Sequence, residues 1–251
     1  MNPNFSFVLI DLTTTKTPNA LRPASSFSAL VAALQEQAIQ YGQEYGMPSV
    51  AFRIGTGPTD RTTNEIAIHF RDDISEAPGA LAYHQTVLGV PDIEIGCDLF
   101  DSISGSGESI SSGVSHEVLE TYGDPGANAW DEKQDGSGLM GAQEICDPVQ
   151  NTGYATSNGV YVSNFVLRNY FVPASSGPWD FMGVMKKQND YSNGYEIQAG
   201  APTQTSQVGG MRGLALHHGK PVFIVGAELT DKQYKRKTNP YSRTYRRGVR
   251  L

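Results

Sequence analysis

Ser115-His116-Glu117-Val118-Leu119-Glu120-Thr121-Tyr122-Gly123-Asp124-Pro125 is the stretch from which the rest of the chain is best read. On a helix, His116 and Glu120 lie four residues apart and project from one face, one turn above the other, with Glu117 close beside them. An imidazole and carboxylates gathered in this way are the donors of a metal-binding helix. Farther on, Asn128-Ala129-Trp130 and Glu144-Ile145-Cys146-Asp147 follow, and the second of these brings two more carboxylates.

The spacing is a variant of H-E-x-x-H, in which two histidines bind zinc and the intervening Glu is the general base. Here Glu120 stands where the second histidine would be. A catalytic zinc takes three ligands from the protein. His116 and Glu120 supply two, and the Glu144-x-x-Asp147 pair is the nearest source of the third. The expected ligand set is therefore His116, Glu120 and Glu144, with Asp147 accepting from the distal nitrogen of His116 and fixing its tautomer. Glu117 is expected to act as general base on metal-activated water. One imidazole with two carboxylates is a harder, more anionic set than two imidazoles, so it acidifies water less and shifts preference towards other divalent ions. Alone, H-E-x-x-E is a weak pattern, because amphipathic helices commonly carry Glu three or four residues apart on a solvated face.

The wider pattern is more specific. Ser115, His116, Glu117, Glu120, Asp124, Pro125, Asn128, Trp130, Glu144, Ile145 and Asp147 occur in the order seen in a loose group of zincin-like, metallopeptidase-type proteins from bacteria and phages, together with the plant Exordium-like proteins. Tyr83-His84 and Tyr161-Val162-Ser163-Asn164 are also similar to the group, and the resemblance covers residues 65–200. It implies an α+β fold, a twisted mixed sheet with the metal-site helix packed under it, and a zinc site. It implies a peptidase activity on peptide substrates less directly. Cys146 precedes Asp147, whereas members of the group often carry a cysteine after it.

Composition is compatible with this. A chain of 251 residues with 39% hydrophobic content can bury a real core. Its two cysteines, Cys97 and Cys146, show no C-x-x-C spacing and read as free thiols. Met1-Asn2-Pro3-Asn4 lacks the basic region and apolar run of a signal peptide, and no apolar stretch is long enough to span a bilayer. The expectation is a soluble protein made in the cytoplasm. The net charge of −7 is unevenly spread: residues 230–251 hold eight basic residues against one acid, leaving that tail at +7 and residues 1–229 at −14.

Periodicity predicts a strand over 5–12, a helix over 27–45 with Leu30, Ala33, Leu34, Ala38 and Tyr41 at helical spacing, and strands over 49–54 and 65–70. Weaker strands over 81–88 and 93–100 flank a turn at Gly89-Val90-Pro91-Asp92, and the motif helix runs from about 109 to 122. Residues 123–141 read as irregular, 160–172 as a strand pair or an extended run and 179–185 as an apolar island. Short strands are expected at 195–198, 214–217 and 221–225. The expected organisation is a zincin-like domain over 1–199, a β-rich extension over 200–229 and a basic C-terminal arm over 230–251.

Other residues are weaker candidates. His84, on a strand before the motif helix, reads as an extra ligand or as a partly buried structural residue. His69 sits in an alternating strand and reads as structural. His217 and His218 are adjacent, so on a strand they point to opposite faces and share no ion. Asp131, Glu132 and Asp135 lack the regular oxygen spacing of a calcium loop, and Ser115 has no nucleophile-elbow context. Lys235-Arg236-Lys237 and Arg246-Arg247, interleaved with tyrosines, suit either nucleic acid or an acidic protein partner, including another copy's body; the protein partner is favoured.

Two functions therefore stand side by side. One is a zinc-dependent peptidase with Glu117 as base. The other is a scaffold, such as a structural component of a phage particle, that assembles through its basic arm.

Overall fold

The computed structural model describes residues 5–14, 23–74, 81–87, 90–126, 129–132, 140–142, 144–172, 174–188, 197–198, 212–217 and 220–225. Strand β1 (Ser6–Asp11) is followed by helix α1 (Phe27–Tyr45), β2 (Phe52–Ile54), β3 (Glu65–Arg71), β4 (Ala82–Val87), β5 (Val90–Gly96) and helix α2 (Ile110–Gly123). This is the predicted order, and the five residues at helical spacing in α1 are all buried. Gly46 closes that helix at φ +67°, a left-handed conformation that glycine adopts without steric cost. Strand β5 begins earlier than expected. Val90 pairs with Val87 and Pro91 with Thr86, so the strand absorbs most of the predicted turn.

These five strands form a mixed sheet in the order β2-β1-β3-β5-β4, with β4 antiparallel to β5 and the other pairs parallel. Side-chain alternation divides its two faces. Phe7, Leu9, Ile66, Ile68, Phe70, Ile93 and Ile95 form one core with residues of both helices, including Leu34 and Tyr41 of α1 and Val118 and Tyr122 of α2. The opposite face carries Val8, Ile10 and Ala67. Register then places His84: it pairs with Ile93, so it lies on the face that the helices cover.

Beyond α2 the chain departs from the sequence reading. Residues 123–141 were expected to be irregular, yet they hold β6 (Ala129–Glu132) and β7 (Met140–Ala142). After β8 (Gly153–Ala155), β9 (Tyr161–Ser163) and β10 (Ile197–Gln198) come β11 (Arg212–His217) and β12 (Lys220–Val225). A second five-stranded sheet has the order β10-β7-β6-β11-β12, in which β6 runs parallel to β11. Short strands stabilised by such distant partners carry no periodicity of their own, which is why 123–141 looked irregular. The same pairing puts Asp131 and Glu132 on a strand rather than in a calcium-type loop. It also joins the predicted 200–229 extension to residues of the preceding part.

The expected strand pair over 160–172 is smaller: only β9 is strand, paired with β8, and Arg168–Phe171 forms a 3-10 turn. Cys97 and Cys146 are buried and form no disulfide among the described residues. Among the described residues no helix is long and apolar enough to cross a membrane. Asn128, Asp135, His218 and the basic arm over 230–251 lie outside the described residues.

Candidate metal centre

Ser109 starts α2, its hydroxyl accepting from the Ser112 amide at 3.3 Å. The helix is buried on nearly every side, with Ile110, Val114, Val118, Leu119 and Tyr122 in the core. Glu117 and Glu120 are buried with them, at 8% and 3% exposure, so the solvated-face reading of H-E-x-x-E does not apply. Ser115, the first motif residue, has no catalytic setting: its hydroxyl accepts from the Ser163 amide at 2.8 Å and pins β9 against the helix. Gln37 of α1 donates to the Ser163 carbonyl at 2.7 Å from the other side. Ile145, between Glu144 and Asp147, accepts from the Val166 amide at 2.7 Å.

Three segments thus bring six ionisable side chains together: His84 from β4; His116, Glu117 and Glu120 from α2; Glu144 and Asp147 from the segment after β7. His116 Nε2 lies 3.2 Å from Glu120 Oε1 and 3.3 Å from Asp147 Oδ1. His84 Nδ1 lies 2.8 Å from Glu117 Oε2 and 3.6 Å from Glu120 Oε2, while its Nε2 lies 3.8 Å from Glu144 Oε2. Two groups emerge whose donor atoms all lie within 4.8 Å of one another and that could hold a metal ion: His116, Glu120 and Asp147, and His84, Glu120 and Glu144. All the predicted site residues are therefore in one place, and His84, weakly indicated by sequence, is among them.

The partition differs from the ligand set expected from sequence. Asp147 sits at the same nitrogen of His116 that faces Glu120, and Glu144 groups with His84. Ligands bound at about 2.0–2.2 Å in a tetrahedron stand roughly 3.3–3.6 Å apart. The two His116 separations, 3.2 and 3.3 Å, are close to that range, so the donor set suits a divalent cation.

The electrostatics show how strongly these carboxylates act. Burial alone would lower the His116 pKa, but the Glu120 charge and the hydrogen bond with Asp147 hold it well above the ordinary histidine value. The Cys146 thiol is pushed well up, first by burial and then by the Glu120 and Asp147 charges. A third group that meets the same distance criterion, His69 with Asp92 and Glu94, lies on the opposite face of the first sheet. It is further populated by Arg71, whose Nε donates to Glu94 at 2.5 Å.

Sequence reasoning missed Asp180. It is fully buried and accepts from Asn164 Nδ2 at 2.7 Å, the Met185 amide at 2.8 Å and the Val184 amide at 3.1 Å. A lone acid inside the apolar island 179–185 was the available signal, since a buried charge persists only where donors surround it. Comparison with known proteins found no protein family, no curated protein and no solved structure that matches the chain.

Proposed function

We propose that the chain is a metal-dependent hydrolase of zincin-like build, most simply a peptidase, in which His116, Glu120 and Asp147 hold a divalent ion, with zinc the first candidate. The observation that carries this reading is the placement of His116 Nε2 between Glu120 Oε1 at 3.2 Å and Asp147 Oδ1 at 3.3 Å. Bound there, the ion would supply Lewis acidity towards a carbonyl oxygen. Glu117 is the chain's own proton carrier. Its Oε2 is held by His84 at 2.8 Å, which restricts its rotamer, and its place on the same turn of α2 suits it to take a proton from water and return it to a leaving amine. The side chains of His116 and Glu117 keep 12% and 10% exposure, enough for contact with water at an otherwise closed site. The choice of peptide substrates draws on the resemblance of the motif to zincin-like metallopeptidases.

Metal analysis of the purified chain, paired with a broad peptidase assay of wild type and Glu117→Gln, tests the reading. Bound metal with cleavage that depends on Glu117 is the expected result. Bound metal without cleavage removes the peptidase, and no metal removes the centre altogether.

A further inference from the structure

We propose that this centre is dinuclear, holding two divalent cations bridged by the carboxylate of Glu120. The inference rests on the metal-centre reading above and extends it. Its starting point is that the two oxygens of Glu120 face different imidazoles: Oε1 lies 3.2 Å from His116 Nε2 and Oε2 lies 3.6 Å from the Nδ1 edge of His84. Glu120 accordingly belongs to both groups of possible ligands, each completed by its own histidine and its own second carboxylate.

The second group has the outer partner that a ligating histidine requires. His84 Nδ1 lies 2.8 Å from Glu117 Oε2, a distance at which an ionised Glu117 would accept the Nδ1 proton. The other ring nitrogen, Nε2, lies 3.8 Å from Glu144 Oε2 and is the atom that an ion beside Glu144 would take. Metal-bound histidines typically donate their other ring N–H to a carboxylate, which fixes the tautomer and orients the ring. Glu117 does this for His84, so it serves both the second ion and the proton transfer proposed above.

Charge supports two ions rather than one. The six side chains comprise four carboxylates and two imidazoles, and ligation requires the imidazoles to be neutral. Their sum is then −4, matched by two divalent ions and left at −2 by one. A carboxylate bridge would hold the ions about 3.5–4 Å apart, the spacing at which paired metals act on the same substrate oxygen. Donors limited to imidazole and carboxylate suit zinc, manganese or iron better than a thiolate-seeking metal.

The test is to strip the full-length chain with a chelator and titrate it with Zn²⁺ and, separately, Mn²⁺. Bound metal is counted after gel filtration, and the electron paramagnetic resonance of the manganese form is recorded. The expected result is two ions per chain and a spin-coupled manganese pair, neither of which depends on a variant. Glu144→Gln and Asp147→Asn should each lower the count to one and abolish the coupling, whereas His69→Gln should leave both unchanged. One ion in wild type overturns the dinuclear centre and leaves the single-metal reading standing; none overturns both. Two ions that persist without coupling, or that survive in a folded Glu144→Gln chain, place the second ion elsewhere and overturn the proposal.

Discussion

His84 Nδ1 and Glu117 Oε2 stand 2.8 Å apart, joining strand β4 of the first sheet to the helix that carries the metal motif. The bond places Glu117 within a cluster that also contains Glu120, Glu144 and Asp147. Four carboxylates at such short range repel one another in the metal-free protein, and the repulsion is strengthened by burial. This arrangement favours cation binding at the expense of apo stability.

Glu117→Gln should expose that trade-off. The amide oxygen still accepts from His84, and one negative charge leaves the cluster, so the chelator-treated variant should melt at or above the wild-type temperature. Its stabilisation on adding Zn²⁺ should be smaller, because a ligand that binds only the folded state stabilises with the logarithm of its affinity. Differential scanning fluorimetry with and without metal checks both. A fall of several degrees in the apo variant would count against the repulsion argument.

The opposite face of the sheet predicts a pH dependence. Burial would lower the His69 pKa, but hydrogen bonds to Asp92 and Glu94, reinforced by their charges, raise it from 6.5 to about 9. A histidine whose folded pKa is raised contributes stability that is fully present below its unfolded pKa and is lost as pH climbs through the folded value. The window is therefore pH 6.5 to about 9. The contribution is at most about 3 kcal/mol from the size of the shift. Urea denaturation of wild type and His69→Gln should give a gap at pH 6 that narrows by pH 10. An equal gap at both values would show that His69 acts by packing alone.

The legible parts of this chain were those whose signal is local. The apolar spacing of α1, the alternation in β3 and the i,i+4 relation of His116 and Glu120 each follow from one element's own geometry. The role of His84 was not legible in that way, since its face depends on the register of β4 against β5. Nor could sequence divide Glu144 from Asp147, because a three-residue spacing outside a regular element fixes no face. The strands β6 and β7 escaped for a related reason: they are only four and three residues long, and besides pairing with each other each takes a partner far along the chain.

Cysteine labelling offers a view of the centre from inside. Cys97 and Cys146 are both fully buried, so neither should react quickly with a thiol reagent in the native protein, and both should react in denaturant. Cys146 lies between Ile145 and Asp147, and its thiol is held protonated by burial and by the neighbouring charges. Reaction there requires local opening of 144–147. In a Cys97→Ser background, bound metal should slow labelling of Cys146 and chelation should speed it. A rate indifferent to metal would separate this segment from the ion.

Asp180 tests how far the support of the centre extends. Its carboxylate accepts from Asn164, Val184 and Met185, and Asn164 donates as well to Thr152 Oγ1 at 3.0 Å. Val166, two residues from Asn164, donates to the carbonyl of Ile145, and so ties this buried network to the segment bearing Glu144 and Asp147. Asp180→Ala strips the acceptor from the buried donors of Asn164 and Met185 and from the part-buried amide of Val184, and should cost about 3 kcal/mol. That loss lowers the melting temperature by about 2–4 °C per kcal/mol in a chain of this size. Asp180→Asn keeps one acceptor oxygen and should lose less. Because the network holds 144–147 from behind, metal affinity measured on the folded fraction should fall in the same order, alanine below asparagine below wild type. Unchanged affinity in a destabilised Asp180→Ala chain would confine Asp180 to the core and detach it from the centre.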